Sequence, residues 1–194
     1  MITTPTDKQV MNPPIELSIE NRSDTFLRLL STDDFAEIYQ IVTKDRDHLQ
    51  TYQRWAKDAT LDSLRADITQ NVEKVAKGEW LQYRIMYRDK SNQSRIIGSV
   101  TFYDHKPEDA VASLGYWITS DFEGKGYALS AAQSLRDFGF NEWGLRKIVI
   151  EIDEGNVRSE KLALRLGAKL TDQISSQEFN GQAYQCRVWE ISCE

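Results

Sequence analysis

The spacing of hydrophobic positions changes period several times along the chain, and each change marks an element. Residues 1–23 show no periodicity and carry Pro5, Pro13 and Pro14, so they read as an extended polar arm ahead of a single domain, residues 24–194. Thr25 to Leu30 has strand character. Thr32 then caps a helix in which Asp33 and Asp34 suit the positive N-terminal end and Phe35, Ile38, Tyr39 and Val42 recur at helical spacing. A shorter, less regular helical stretch covers Arg46 to Trp55. Ser63 to Lys77 places Leu64, Ile68, Val72 and Val75 on one face, and Gly78 ends it.

From Trp80 the period shortens to two. Leu81, Tyr83, Ile85 and Tyr87 alternate, and Ile96 to Tyr103 and Val111 to Thr119 follow after turn residues, as consecutive antiparallel strands. Gly126 to Trp143 returns to helical spacing, with Ala128, Ala131, Ala132, Leu135 and Phe138 as its buried stripe. Arg146 to Ile152 is a strand, Asn156 to Leu166 a helix closed by Gly167, and Asn180-Gly181 predicts a type I′ hairpin turn between two last strands. The order predicts a mixed α/β domain on one twisted sheet. Its strand-helix-strand unit from Val111 to Ile152 pairs two strands in parallel through a right-handed crossover.

Composition narrows the function classes. With 194 residues, 40% of them hydrophobic, and 20 aromatic side chains (five Trp, eight Tyr, seven Phe), the chain can bury a real core. A net charge of −6 does not suit a nucleic-acid surface, and no direct nucleic-acid partner is expected. No stretch approaches the roughly 18 to 20 apolar residues of a membrane span, and the N-terminal residues lack the apolar core of a secretory signal. Cys186 and Cys193 form no paired framework, and neither has metal-type spacing with His48 or His105. A cytoplasmic, reduced protein without a metal is expected.

The chemistry concentrates in one corner. Gly115 to Ala128 runs from a strand through a glycine-containing loop into the long helix. A helix start exposes unpaired N–H groups and the positive end of the macrodipole. Gly124 and Gly126 let backbone approach an anion, Lys125 adds a cation, and small Ala128 leaves room over the first turn. A plain tight turn would use the same glycines, and the segment is neither a dinucleotide fingerprint nor a P-loop, because Leu129 stands where the third glycine would fall and no G-x-x-x-x-G-K-[ST] occurs.

Gly115-Tyr116-Trp117-Ile118 followed by Phe122-Glu123-Gly124-Lys125-Gly126 resembles motif A, [QR]-x-x-G-x-[GA], of the GNAT acetyltransferase superfamily. Gly126 and Ala128 match its last defined positions, and Glu123 replaces the usual Gln or Arg. Gly155-Asn156-Val157-Arg158-Ser159 with Leu166-Gly167-Ala168 is similar to a second segment of that family. The resemblance spans about Thr25 to Ile191 and is nearest the RimJ/RimL-like branch of ribosomal-protein N-terminal acetyltransferases. It implies a GNAT-type fold, a mostly antiparallel sheet with one central parallel pair flanked by helices. The implied reaction is direct attack of a primary amine on acetyl-CoA in a ternary complex, with a protein or peptide N-terminus as acceptor, and a homodimer is the assembly the branch suggests.

The same resemblance implies residue roles. The backbone of Trp117, Ile118 and Thr119 is expected to hold pantetheine. The N–H groups of Glu123, Gly124, Lys125, Gly126, Tyr127, Ala128 and Leu129 are expected to hold the diphosphate, and a backbone N–H near Trp117 to polarise the thioester carbonyl. Asn156 is expected to contact pantetheine and Ser159 to protonate the departing thiolate, although an N-cap and a first-turn polar residue would read the same way. The branch often carries Glu where this chain has Ser113, so the general base is open: Glu178, Asp104 and His105 are candidates. Arg54 and Trp55 are acceptor-site candidates. A small amine as acceptor (polyamine, amino sugar or amino acid) and a non-catalytic acetyl-CoA-binding module are the alternatives.

Overall fold

The computed structural model describes residues 12–193, so the prolines at 13 and 14 fall within it and the first eleven positions of the expected arm lie outside the described residues. A short strand β1 (Glu16–Ser18) is laid antiparallel on β2 (Thr25–Leu29). Helices α1 (Phe35–Leu49) and α2 (Leu61–Ala76) follow, then β3 (Leu81–Arg88), β4 (Ser94–Lys106) and β5 (Val111–Ile118). Helix α3 (Tyr127–Asn141) leads to β6 (Lys147–Asp153), α4 (Val157–Arg165), β7 (Lys169–Phe179) and β8 (Gln182–Ser192).

The strands form one eight-stranded sheet in the order β1-β2-β3-β4-β5-β6-β8-β7. Every neighbour pair is antiparallel except β5 with β6, the pair that the strand-helix-strand unit predicts to be parallel. Asn180 and Gly181 both hold positive φ, 50° and 75°, between β7 and β8, the backbone that a type I′ turn requires.

Each face of the sheet carries its own core. On one face α3 and α4 cover Leu27, Tyr83, Ile85, Ile97 and Phe102 together with Ile148, Ile150 and Ile152. On the other, α1 and α2 close over Met86 and Ile96, with Phe26 and Trp117 beside them. Adjacent residues Ile85 and Met86, or Ile96 and Ile97, thus serve opposite cores, which is the period-two pattern of a sheet buried on both sides. Buried Arg84 reaches out of β3 to Asp34 at 2.9 Å, and Arg28 joins the same carboxylate at 2.6 Å, anchoring the start of α1 to the sheet. Among the described residues no helix is long and apolar enough to cross a membrane.

Several expectations shift in detail. Ser31, not Thr32, caps the first helix: its hydroxyl accepts from Asp33 while the Asp34 carboxylate accepts from the Ser31 amide, a capping box that opens with a 3-10 turn at Thr32–Asp34. Arg46 to Trp55 is no separate helix. Its first residues continue α1 past a kink at Asp45, and Arg54–Ala56 is an isolated 3-10 turn. Ala128 lies off the buried stripe of α3, whose place is taken by Tyr127 and Gly139.

Candidate functional site

The parallel pair β5/β6 is joined only at its start. Register runs from Val111↔Lys147 to Ser113↔Val149, and beyond that point the two strands carry no pairing with each other. Both remain paired on their outer sides, β5 to β4 as far as Ile118 and β6 to β8 as far as Asp153. The Thr119 amide donates to Ile97 O at 2.9 Å. Because neighbouring residues of a strand present their polar groups to opposite sides, the backbone of Ile118 is turned toward the gap. Of the three backbones expected to hold pantetheine, then, Ile118 faces the gap, and the Thr119 N–H is engaged by β4.

The gap widens into a cleft of about 340 Å³, bordered by Leu114, Gly115 and Tyr116 on one wall and Ile150 to Asp153 on the other. Asn156 and Ser159 of the β6–α4 connection lie in the same cleft. Asn156 Oδ1 accepts from the Ser159 amide at 3.2 Å, the N-cap bond, and the Ser159 side chain stands beside the Tyr116 phenol. Tyr116 of β5 spans the gap: its phenol donates to Ser159 O at 3.3 Å. Burial pushes that phenol up to about 12, so it stays protonated at neutral pH and acts as a donor only.

At the open end of β5 a 3-10 turn, Ser120–Phe122, leads to two residues that need left-handed backbone. Gly124 has φ +69° and Gly126, the N-cap of α3, has φ +82°. Along α3 the first amide to donate to a backbone carbonyl is Ser130, to Gly126 O at 3.0 Å, so the amides before it point out of the helix start. They face a hollow of about 430 Å³ whose far side is α4, through Arg158, Lys161 and Arg165. Small Ala128 and Leu129 border it directly.

Charges around the corner are arranged by neighbours. The Glu123 carboxylate, where motif A has Gln or Arg, accepts from Arg158 and lies 3.4 Å from His48 Nε2 of α1. The Lys125 ammonium folds back onto Asp121 O at 2.6 Å, and the Lys125 carbonyl accepts from Arg22 at 2.6 Å. Arg22, at the end of the arm, also donates to Ser130 Oγ at 3.1 Å and lies over the Tyr127 ring. From α1, Asp45 accepts from both the amide and the hydroxyl of Ser120, at 2.8 and 2.6 Å.

The α1/α2 side of the cleft is assembled from side chains. Arg54 donates to Asp153 Oδ2 at 2.7 Å and stacks over the Tyr184 ring at 3.7 Å. The other Asp153 oxygen accepts from Cys186 Sγ at 3.1 Å, and burial raises that thiol to about 12, which keeps it neutral and unreactive. Trp55 stands edge-on to Trp117 with ring centres 5.9 Å apart, its indole N–H donating to Gln53 Oε1.

Three acidic residues border the cleft, Glu151, Asp153 and Glu178; the alternation of β7 turns Gln177 toward Glu151 and the Glu178 side chain to the opposite, exposed face. Glu151 accepts from Gln177 and Asp153 is held by Arg54. Glu178 is exposed and has no partner among the described residues. Asp104 and His105 lie elsewhere, with His105 Nδ1 3.1 Å from Gly78 O and its ring stacked on Trp143. Sequence reasoning passed over Glu151 and Asp153. The signal that could have found them is the alternation in Lys147–Asp153, which sends Ile148, Ile150 and Ile152 to the core and the residues between them to the opposite face. Among the described residues no cluster of His, Cys, Asp and Glu could hold a metal ion.

Residues 24–169 match the family model described as Acetyltransferase (GNAT) domain. The ribosomal-protein-serine acetyltransferase of Escherichia coli (strain K12) is 26% identical over 159 residues, 81% of this chain and 86% of that protein. Among solved structures, the ribosomal L7/L12 alpha-N-protein acetyltransferase RimL in complex with coenzyme A superposes with a TM-score of 0.80 at 21% identity, covering 90% of this chain and 97% of that one. The microcin C7 self-immunity acetyltransferase MccE, in complex with acetyl-CoA and AMP, gives 0.78 at 20% identity, over 89% and 94%. At such identities these structural likenesses establish a shared fold.

Proposed function

This chain belongs to the acetyltransferase (GNAT) family, on its RimJ/RimL-like side, and is an acetyl-CoA-dependent N-acetyltransferase; from that premise we propose that its acceptor is the N-terminal amine of a protein or peptide. The observation that carries the reading is the parting of β5 from β6 after Ser113 and Val149, in line with the exposed amides at the start of α3. A long substrate with an anionic end and an amide-bearing arm fits that shape.

The corner suits the diphosphate on physical grounds. Amides from Gly124 to Leu129 supply donors, the helix start supplies positive potential, and Arg158, Lys161 and Arg165 border the hollow. The Glu123 carboxylate is neutralised by Arg158, so its charge does not oppose the anion at full strength. The backbone of Trp117 to Thr119 borders the route from the hollow to the cleft, and Ile118, facing the gap, is the member best placed to complete a strand-like pairing with the pantetheine amides.

In the cleft the amine nitrogen forms its bond to the acetyl carbon as the carbon–sulfur bond breaks. Ser159, whose side chain borders the cleft beside the Tyr116 phenol, is the donor to the departing thiolate, and Tyr116 holds the Ser159 backbone in place. Asn156 orders this turn through its cap bond and borders the pantetheine path. Glu178, at the cleft border and without an ion-pair partner among the described residues, is the candidate base; because its side chain leaves β7 on the face opposite Gln177, it takes the amine proton through water. An α-amine with a pKa near 8 needs only modest help from that base, whereas a lysine amine near 10.4 needs far more. That difference favours an N-terminal acceptor.

The test is thiol release from acetyl-CoA with a panel of peptides and small amines. Release with peptides bearing a free N-terminus, and none when that terminus is blocked, is the expected result. Turnover confined to polyamines or amino sugars would move the assignment to a small-amine enzyme. Cofactor-dependent thermal stabilisation without turnover on any amine would leave a binding module.

A further inference from the structure

On the α1/α2 face a chamber of about 450 Å³ lies between α2 and strands β3 to β5. Trp55, Trp80 and Trp117 form much of its wall, with Ile68 and Asn71 from α2 and Gln82 from β3. It adjoins the reaction cleft, since Gln53, Trp55, Tyr103, Gly115 and Tyr116 border both. An amine held against β5 therefore has the chamber next to it.

Three features state what the chamber can take. Its aromatic walls are braced by one another, Trp55 on Trp117 at 5.9 Å and Trp80 on Tyr103 at 6.0 Å, so they offer rigid apolar surface. Its deepest charge is cancelled, Arg84 being neutralised by Asp34 at 2.9 Å, while exposed Asp67 and half-buried Lys74, whose ammonium lies 4.2 Å from the Trp80 ring centre, stand on α2. A charged side chain seated deep between the rings, beside the Arg84–Asp34 pair, would lose hydration without gaining a free counter-charge.

The third feature is Gln82. Ser99 Oγ donates its hydrogen to Tyr83 O at 2.8 Å, so toward Gln82 it can only accept, and Gln82 Nε2 donates to it at 3.4 Å. That bond orients the carboxamide and leaves Gln82 Oε1 buried with no partner among the described residues. A buried acceptor without a donor is costly, and a guest that brings an N–H relieves the cost.

We infer that this chamber is the subsite for the residue following the reacting amine, and that it selects a bulky apolar or aromatic side chain there. The inference rests on the N-terminal-acceptor reading above. A peptide enters with its amine at the cleft, its second side chain between the tryptophans, and a backbone N–H available to Gln82.

The experiment uses the full chain, acetyl-CoA, and peptides of fixed first residue with Phe, Leu, Gly, Asp or Lys second. Thiol release should give kcat/KM at least about tenfold higher for Phe and Leu than for Gly or Asp, the range a hydrophobic pocket supplies. Asn71→Trp, a substitution on the α2 wall that fills the chamber, should erase that preference while leaving the Gly peptide within about twofold. Trp80→Ala should flatten the same profile by removing a wall. Equal rates across the wild-type panel, a preference for Asp or Lys, or an intact preference in a folded Asn71→Trp protein would overturn the inference, as would tryptamine outrunning every peptide. Absence of release from any peptide is a different result: it defeats the acceptor reading itself.

Discussion

The two halves of the groove are built by different means. At the end proposed for the cosubstrate, the groups are mainly main-chain amides and the small residues that expose them, in one continuous segment from Ile118 to Leu129, faced by the cations of α4. At the acceptor end they are side chains brought from six places: Arg54 after α1, Tyr116 on β5, Asp153 on β6, Ser159 on α4, Glu178 on β7 and Tyr184 on β8. A site made of backbone tolerates changes of side chain such as Glu123 for Gln. A site made of side chains can be retuned one residue at a time, which is where relatives with one fold can part in acceptor choice.

The sharpest way to break this contrast is at Gly126. Its φ of +82° strains any L side chain, and a Cβ there would displace the Arg22 guanidinium, 2.9 Å away, from its bond to Lys125 O. Gly126→Asp adds strain, bulk and negative charge at the mouth of the cradle. Acetyl-CoA affinity by calorimetry should fall by about a hundredfold or more, roughly 3 kcal/mol, with near-native circular dichroism. Affinity within a few-fold of the unaltered protein would remove the backbone cradle from the account.

The acceptor half should respond in turnover instead. Ser159→Ala is expected to lower kcat by about a hundredfold, at the lower end of what positioned acid–base groups supply, and to leave acetyl-CoA affinity unchanged. Its amide keeps the Asn156 cap, so the fold of α4 is retained. Glu178→Gln should cost less, about tenfold in kcat, because an α-amine is already partly neutral near its pKa of about 8. The sign of the pH response follows: the variant should recover toward the unaltered protein as pH rises and the amine loses its proton unaided. A Glu178→Gln rate that stays equally depressed from pH 7 to 9 would argue against proton removal as its role.

The same contrast explains what could be read from the chain. Gly124, Gly126 and the helical period after them are local signals, and so were the strand-helix-strand unit, the Asn180-Gly181 turn and the shared face of Leu64 and Ile68. The cleft was not local. Nothing adjacent to Asp153 announces that its two oxygens will hold Arg54 from ninety-nine positions earlier and Cys186 from thirty-three later. Tyr116 had the composition of a core aromatic, and only the loss of β5/β6 pairing after Ser113 turns it into a bridge to Ser159. Thr32 and Arg46 to Trp55 were misplaced for a smaller reason: a capping box starts one residue earlier than the first hydroxyl next to an acidic pair suggests, and a kink at Asp45 keeps helical spacing without a new helix.

The smallest expected effect probes the seam between the two halves. Arg54 is clamped by Asp153 and by the Tyr184 ring, so its guanidinium holds β6, β8 and the segment after α1 in one arrangement. Arg54 and Asp153 are each about one-fifth exposed, so the pair itself is worth only a modest amount. Arg54→Ala should therefore raise the acceptor KM a few-fold, leave acetyl-CoA affinity unchanged, and shift the melting midpoint by no more than a few degrees. Arg54→Lys keeps the charge but not the planar stack, and should restore only part of the KM. If Arg54→Ala instead weakened acetyl-CoA binding as strongly as acceptor binding, the two halves would be one energetic unit, and the division between a backbone-built cradle and a side-chain-built cleft would not hold.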